Sequence, residues 1–137
     1  MIKTATDIER DVYRIAKSVL KGRINGGVYR RGMRPKDSHS EDCVVAFLSG
    51  LEGQVQNGEL YIHIYVPYIA VSKSTNLVAN IKRIAELEYA LQDVRKALAS
   101  ESAYWFEYRD TPNYINIDDI EQSQLSVLVT YKRYTFV

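Results

Sequence analysis

The N-terminal part of the chain shows an apolar repeat with a spacing of three to four residues. Its members are Ile8, Val12, Ile15, Ala16, Val19 and Leu20. This spacing places their side chains on one stripe and predicts an amphipathic helix. Thr6 and Glu9 have the spacing of a capping box, which satisfies free backbone N–H groups at a helix start. Gly22 suits the end of the helix, because glycine tolerates the left-handed backbone found there.

Several segments after this helix carry strand patterns. The turn signal Asn25-Gly26-Gly27 precedes a short predicted strand at Val28-Tyr29. Residues 43–48 form a nearly continuous apolar run, typical of a strand covered on both faces. Residues 60–66 alternate between aliphatic residues and Tyr61, His63 and Tyr65, which predicts a strand with two unlike faces. The aromatic residues 104–108, the short alternation at Ile115 and Ile117, and the alternating residues 125–134 predict the remaining strands.

A second helical repeat covers residues 76–99. Its apolar members are Leu77, Ile81, Ile84, Ala85, Leu91, Val94 and Leu98. Ser74, Thr75 and Asn76 precede the repeat and are candidate N-caps. At about 1.5 Å per residue the helix would span about 36 Å, so we expect one end to project or to contact a partner.

The order of these elements predicts the fold class. A helix, several strands, a long helix and further strands follow one another, and several strands are joined by links of hairpin length. This order favours an α+β fold over a parallel α/β arrangement. We expect a mostly antiparallel sheet of four to five strands packed with two main helices. Because the chain has 137 residues, we expect residues 1–137 to form a single domain.

Composition and charge limit the cellular compartments and the binding partners that we expect for this chain. Eighteen basic and seventeen acidic residues give a net charge of +1, so any electrostatic recognition has to be local. The chain contains no run of 18 apolar residues, so we expect no segment that spans a membrane. The charged N-terminus does not resemble a signal peptide. The single Cys43 excludes a disulfide within the chain. We therefore expect a cytoplasmic protein with no membrane contact.

The candidate catalytic groups are Cys43, His39 and His63, with Asp37, Glu41 and Asp42 as possible orienting carboxylates. A cysteine that opens an apolar strand is typically a small core residue, and two distant histidines with one cysteine do not suggest a zinc site. No glycine-rich phosphate-binding motif occurs. The cluster Asp118-Asp119-Ile120-Glu121 fits a helix start better than a cation site. We expect no catalytic residue, cofactor or metal.

The most distinctive charged segment is residues 30–42. Four basic residues, Arg30, Arg31, Arg34 and Lys36, are followed by three acidic ones, Asp37, Glu41 and Asp42. Three interpretations stay open: a solvated connection, a protein interface, or a contact with nucleic acid. The exposed face predicted for Tyr61 and Tyr65 adds a second possible protein interface, because tyrosine is enriched at such surfaces.

Several short segments, in order, resemble a known family. Gly27-Val28-Tyr29 follows the first helix, and Arg34-Pro35 lies in the loop after it. The acidic step Glu41-Asp42 then enters an apolar strand, and a second strand at residues 60–67 precedes a long helix. In this order the chain resembles the small tail-completion, tail-terminator and head-to-tail joining proteins of long-tailed bacteriophages.

The resemblance implies a structural protein without catalytic activity, encoded by a phage or prophage. It implies a homo-oligomeric ring, a hexamer in that family, in contact with neighbouring tail or connector proteins. Such a protein would reside in the host cytoplasm during assembly and then in the virion. The expected interface residues are Arg30, Arg31, Arg34, Lys36, Asp37, Glu41, Asp42, Tyr61 and Tyr65. The alternative is a small intracellular module that binds nucleic acid or protein through residues 30–36.

Overall fold

The computed structural model describes residues 1–71 and 76–135. Within these ranges it has two α-helices, α1 (Ala5–Leu20) and α2 (Ile81–Ala99), and a 3-10 turn at Asp118–Ile120. The strands are β1 (Val28–Arg30), β2 (Cys43–Leu51), β3 (Val55–Pro67), β4 (Ile69–Ala70), β5 (Leu77–Val78), β6 (Trp105–Tyr108), β7 (Asn113–Ile117) and β8 (Gln122–Tyr134). No helix in the described ranges is long and apolar enough to span a membrane.

Six of the described strands form one mixed, mostly antiparallel sheet. Its order is β1-β2-β3-β8, and β6 and β7 pair with different halves of β8. Only β1 and β2 run parallel, and every other pair is antiparallel. The predicted α+β fold is therefore confirmed, with a slightly larger strand number than the four to five expected. A parallel pair needs a crossover of about a dozen residues, which accounts for the length of the loop between β1 and β2.

The core lies between the two helices and one face of the sheet. Alternate residues of β3 and β8 turn toward the helices, and Ile62 of β3 pairs there with Val127 of β8. Near the end of β8, Tyr131 packs over the paired glycines Gly50 and Gly58. A Cβ on Gly50 would collide with the Tyr131 hydroxyl, and one on Gly58 would collide with the Ser49 carbonyl oxygen and the Tyr131 ring. We call the opposite face, which carries Tyr61, His63 and Tyr65, the outer face.

The N-terminal cap of α1 differs from the prediction. Thr4 is the N-cap, and its hydroxyl accepts a hydrogen bond from the Asp7 N–H while the Asp7 carboxylate accepts one from the Thr4 N–H. The predicted box of Thr6 and Glu9 is wrong, because Glu9 is buried and serves another contact. The two candidate capping boxes are only two residues apart in sequence, and the burial of Glu9 in the folded chain decides between them.

The start of α2 also differs from the prediction. The helix begins at Ile81, with the Asn80 side chain accepting a hydrogen bond from the Arg83 N–H at 3.2 Å. Leu77 and Val78 form β5 instead of a first helical turn. Asn76 precedes that strand and is not the N-cap, while the candidate caps Ser74 and Thr75 lie outside the described residues. At Asp118–Ile120, the predicted helix start is a single 3-10 turn that leads into β8.

Candidate assembly interface

The loop between β1 and β2 is held by Asp42 at its C-terminal end. This carboxylate accepts hydrogen bonds from the Gly27 N–H and the Arg34 Nε, both at 2.9 Å, and from the Ser38 hydroxyl. Burial alone would raise the pKa of Asp42, but these donors outweigh it and the pKa lies below its usual value. Asp42 is therefore ionised at neutral pH and fixes the loop to the start of β1.

Arg34 is anchored across the outer face of the sheet. Its guanidinium carbon lies 3.9 Å from the centre of the Tyr65 ring, and its Nη2 donates to the Gln122 Oε1 at 2.9 Å. The same nitrogen reaches the carbonyl oxygens of Ser38 and Ser40 at 3.2 and 3.4 Å. A planar guanidinium suits this combination of stacking and several hydrogen bonds. Two residues that the sequence assigned to an interface, Arg34 and Tyr65, thus contact each other.

Glu41 ties the loop to the second helix. Its carboxylate forms a two-point ion pair with Arg83, at 2.7 Å to Nε and 2.8 Å to Nη2. The Asn25 side chain accepts a hydrogen bond from the Glu41 N–H at 2.7 Å, and the Asn25 N–H donates back to the carboxylate at 3.3 Å. These contacts hold Glu41 in a buried position within its own chain.

Glu9 joins α1 to β1 and β2, a role that its place in the helical pattern does not reveal. Its carboxylate accepts hydrogen bonds from the Arg30 Nε at 3.2 Å and from the Phe47 N–H at 3.0 Å. Arg30 also donates to the Thr6 carbonyl oxygen at 2.6 Å. Arg31 lies at the rim of this cluster, 3.9 Å from the Glu9 carboxylate, and most of its side chain is exposed.

The seven charged residues predicted for the interface therefore divide into two groups. Arg30, Arg34, Glu41 and Asp42 have charged partners inside the chain. Arg31, Lys36 and Asp37 lie exposed, although Arg31 also donates to the Phe47 carbonyl oxygen at 3.0 Å. Since only two of the four basic residues remain at the surface, the loop presents a weaker positive patch than its sequence suggests. This placement favours a structural role for most of the loop.

Tyr61 is half-buried on the outer face and stacks on His63, with ring centres 5.1 Å apart. The Nδ1 of His63 lies 2.6 Å from the Ser126 hydroxyl on the neighbouring strand. Burial lowers the pKa of His63, so its ring is neutral at pH 7. Tyr61 is thus kept at the surface as part of a ring pair instead of projecting alone.

The groups considered for catalysis do not come together. Cys43 is fully buried on the core face, and burial together with the nearby Asp42 raises its pKa to about 12. His63 pairs with Val44 across the strands and faces the opposite side of the sheet. His39 lies in the exposed part of the loop, with its Nδ1 3.4 Å from the Gln122 side-chain nitrogen. Within residues 1–71 and 76–135, no group of three metal-ligating side chains is suited to hold an ion.

The most unusual surface is a two-stranded arm formed by β4 and β5, which stands apart from the six-stranded sheet. Ile69 pairs with Val78, and Ala70 pairs with Leu77. All four residues are exposed, including 44% of Ile69 and 43% of Leu77. Isolated two-stranded ribbons are marginally stable in water, and exposed strands usually carry charges that prevent association. The described strands of this arm contain no charged residue, and their side chains are exposed to solvent.

The sequence contained a signal for the arm that helical periodicity concealed. Between Glu59 and Glu86 there is no acidic residue, although 26% of the whole chain is charged. Leu77 fits the spacing of the following helix, so the segment reads as the first turn of α2. The absence of acidic residues marks this segment as unusual, whereas the apolar repeat assigns Leu77 to α2 instead of to the arm.

Comparison with known proteins adds no family assignment. No protein-family model matches the chain, and no curated protein matches it.

Proposed function

We propose that this protein is a structural assembly subunit of a phage or prophage particle, and that copies of it join into a ring at the tail end or head-to-tail junction. The observation that carries the proposal is the exposed apolar surface of β4 and β5, whose described residues carry no charge. The order of short motifs that resembles tail-completion and head-to-tail joining proteins supplies the location. Host cytoplasm during assembly and the virion afterwards follow from that location.

The arm supports self-association for a physical reason. Burying its exposed aliphatic side chains against another protein removes apolar surface from water and shields the unpaired edges of the two strands. A contact between an arm and a different surface of the next copy is heterologous, and such contacts close into rings when the rotation between copies allows it. Arg31, Lys36 and Asp37 then add charged contacts at the rim of the interface.

The test compares the wild-type chain with the double variant Ile69→Asp/Leu77→Asp. Each change places a carboxylate on a surface where an aliphatic side chain contributes about 1.5 kcal/mol or more when buried. We expect light scattering to give the mass of a closed oligomer for the wild-type chain, and negative-stain images to show rings. The double variant should require a concentration about a hundredfold higher to assemble.

Leu51→Asp is the matched control, because Leu51 is 69% exposed and lies at the end of β2, beside the start of β3, whereas the arm follows the other end of β3. This variant should assemble like the wild-type chain. A wild-type chain that remains monomeric over the whole concentration range contradicts the proposed function. Assembly by the arm variant at wild-type concentrations shows that the arm is not the contact.

A further inference from the structure

A groove on the solvent-facing side of α2 is the second apolar feature of the surface. It has a volume of about 330 Å³ and is lined by Ala85, Glu88, Tyr89, Gln92, Thr111 and Pro112. The helical residues in this set follow the spacing of one helix stripe and lie opposite the stripe that enters the core. Tyr89 forms one wall and is 74% exposed, which is unusual for so large an aromatic side chain.

The apolar strands of the arm match the largely uncharged lining of the groove, and Lys82 at the root of the arm has the opposite charge to Glu88 in the groove. The groove carries one charged group, the carboxylate of Glu88, among apolar and uncharged polar neighbours. The segment that forms the arm and its root contains no acidic residue between Glu59 and Glu86, and Lys82 follows the arm closely at the start of α2. The Lys82 ammonium of one copy can therefore pair with the Glu88 carboxylate at the groove of a neighbour, while the uncharged strands of the arm contact the uncharged lining.

We propose that this groove receives the β4–β5 arm of a second copy of this chain. The inference rests on the assembly function proposed above and names the acceptor surface for the arm. Because the arm and the groove share no residue, each copy can insert its own arm and accept that of a neighbour. A chain of such contacts is directional, as a ring of identical subunits requires.

Two variants separate the two halves of the contact. The arm variant Ile69→Asp/Leu77→Asp keeps an intact groove. The groove variant Ala85→Glu/Tyr89→Glu keeps an intact arm, and both of its positions are exposed on α2, where glutamate is a good helix former. Lys96→Glu is the matched control, since it makes a similar charge change on an exposed part of the same helix outside the groove. Circular dichroism establishes that each variant is folded.

The decisive measurement mixes the two variants at equal concentration and determines the mass by light scattering. Each variant alone should be monomeric at concentrations where the wild-type chain is fully assembled. The mixture should give a heterodimer and nothing larger, because only one intact arm can meet one intact groove. Lys96→Glu should assemble like the wild-type chain.

The other outcomes have distinct meanings. If the groove variant alone forms oligomers of wild-type size, the groove is not the acceptor, and the assembly function stands. If both variants are monomeric but their mixture gives no heterodimer, the arm and groove do not bind each other, and this inference is wrong. If the wild-type chain is monomeric at every concentration, both the assembly function and this inference fail.

Discussion

Asp42 connects three parts of the chain through one carboxylate. Its donors are the Gly27 N–H before β1, the Arg34 guanidinium within the loop and the Ser38 hydroxyl. Asp42 and Arg34 expose only 1% and 13% of their side chains. A buried ion pair of this kind adds little net stability relative to an apolar pair, but removal of one partner leaves an uncompensated charge. Asp42 is therefore the residue on which the loop conformation depends most.

The first prediction concerns Asp42→Asn. We expect the free energy of unfolding at pH 7 to fall by about 3 kcal/mol, because Arg34 loses its charged partner in a buried position. The pKa of Asp42 is lowered in the folded chain, so its carboxylate stabilises the fold above the unfolded value of 3.8. That contribution is lost as the pH falls through the folded-state pKa. Urea denaturation at several pH values should show that the difference in free energy of unfolding between wild type and variant becomes smaller below about pH 4.

Asp37→Asn is the control for this prediction. Asp37 is exposed in the same loop, so its substitution should change the free energy of unfolding by less than about 0.5 kcal/mol. Equal losses for the two variants, or a gap that does not change with pH, would show that the Asp42 ion pair does not govern the loop.

The partners of these charges explain why sequence reasoning described the loop only in part. The pattern of four basic and three acidic residues identified the segment correctly as distinctive. It did not reveal Tyr65, Gln122 or Arg83, which lie far along the chain and are brought to the loop by the sheet and by α2. Glu9 was missed for the same reason, since a glutamate in the first half of an amphipathic helix normally faces solvent.

At the scale of single elements, α1 offers a test between two capping arrangements. The structure uses Thr4 and Asp7, whereas the sequence pattern favoured Thr6 and Glu9. Thr4→Ala should lower the free energy of unfolding by about 1 kcal/mol, because the Asp7 N–H loses its acceptor. Thr6→Ala is the matched substitution two residues away and should change it by less than about 0.5 kcal/mol. Thermal or urea denaturation of both variants measures the difference, and a larger loss for Thr6→Ala would favour the sequence-based cap.

The elements differ in how well their sequence pattern defines them. The stripe of α1 and the alternation of β3 and β8 have only one face that can enter the core, so their predictions are confirmed. Leu77 satisfies both the repeat of α2 and the pairing with Ala70, and only the tertiary structure selects the strand. The charge pattern identifies residues 30–42 as a distinctive segment, but its role as a parallel crossover depends on strand order, which local patterns do not contain.

At the scale of the whole molecule, the arm and the groove give the chain two surfaces that a monomer leaves in water. In the proposed assembly, burial of the apolar side chains on these surfaces supplies free energy for association. Binding that involves the folded state alone stabilises that state by mass action. Assembly should therefore be visible as a dependence of thermal stability on protein concentration.

We expect the wild-type melting temperature to rise with concentration. At about a hundred times the dissociation constant, association contributes about 2.7 kcal/mol, which corresponds to roughly 5 to 10 °C for a domain of this size. Over the same concentration range the melting temperature of Ile69→Asp/Leu77→Asp should change much less, whereas Leu51→Asp should retain the wild-type dependence. Differential scanning fluorimetry over a dilution series measures all three chains. If the arm variant keeps the wild-type dependence, the stabilising contact lies on another surface, because an arm carrying two carboxylates cannot contribute the same apolar burial.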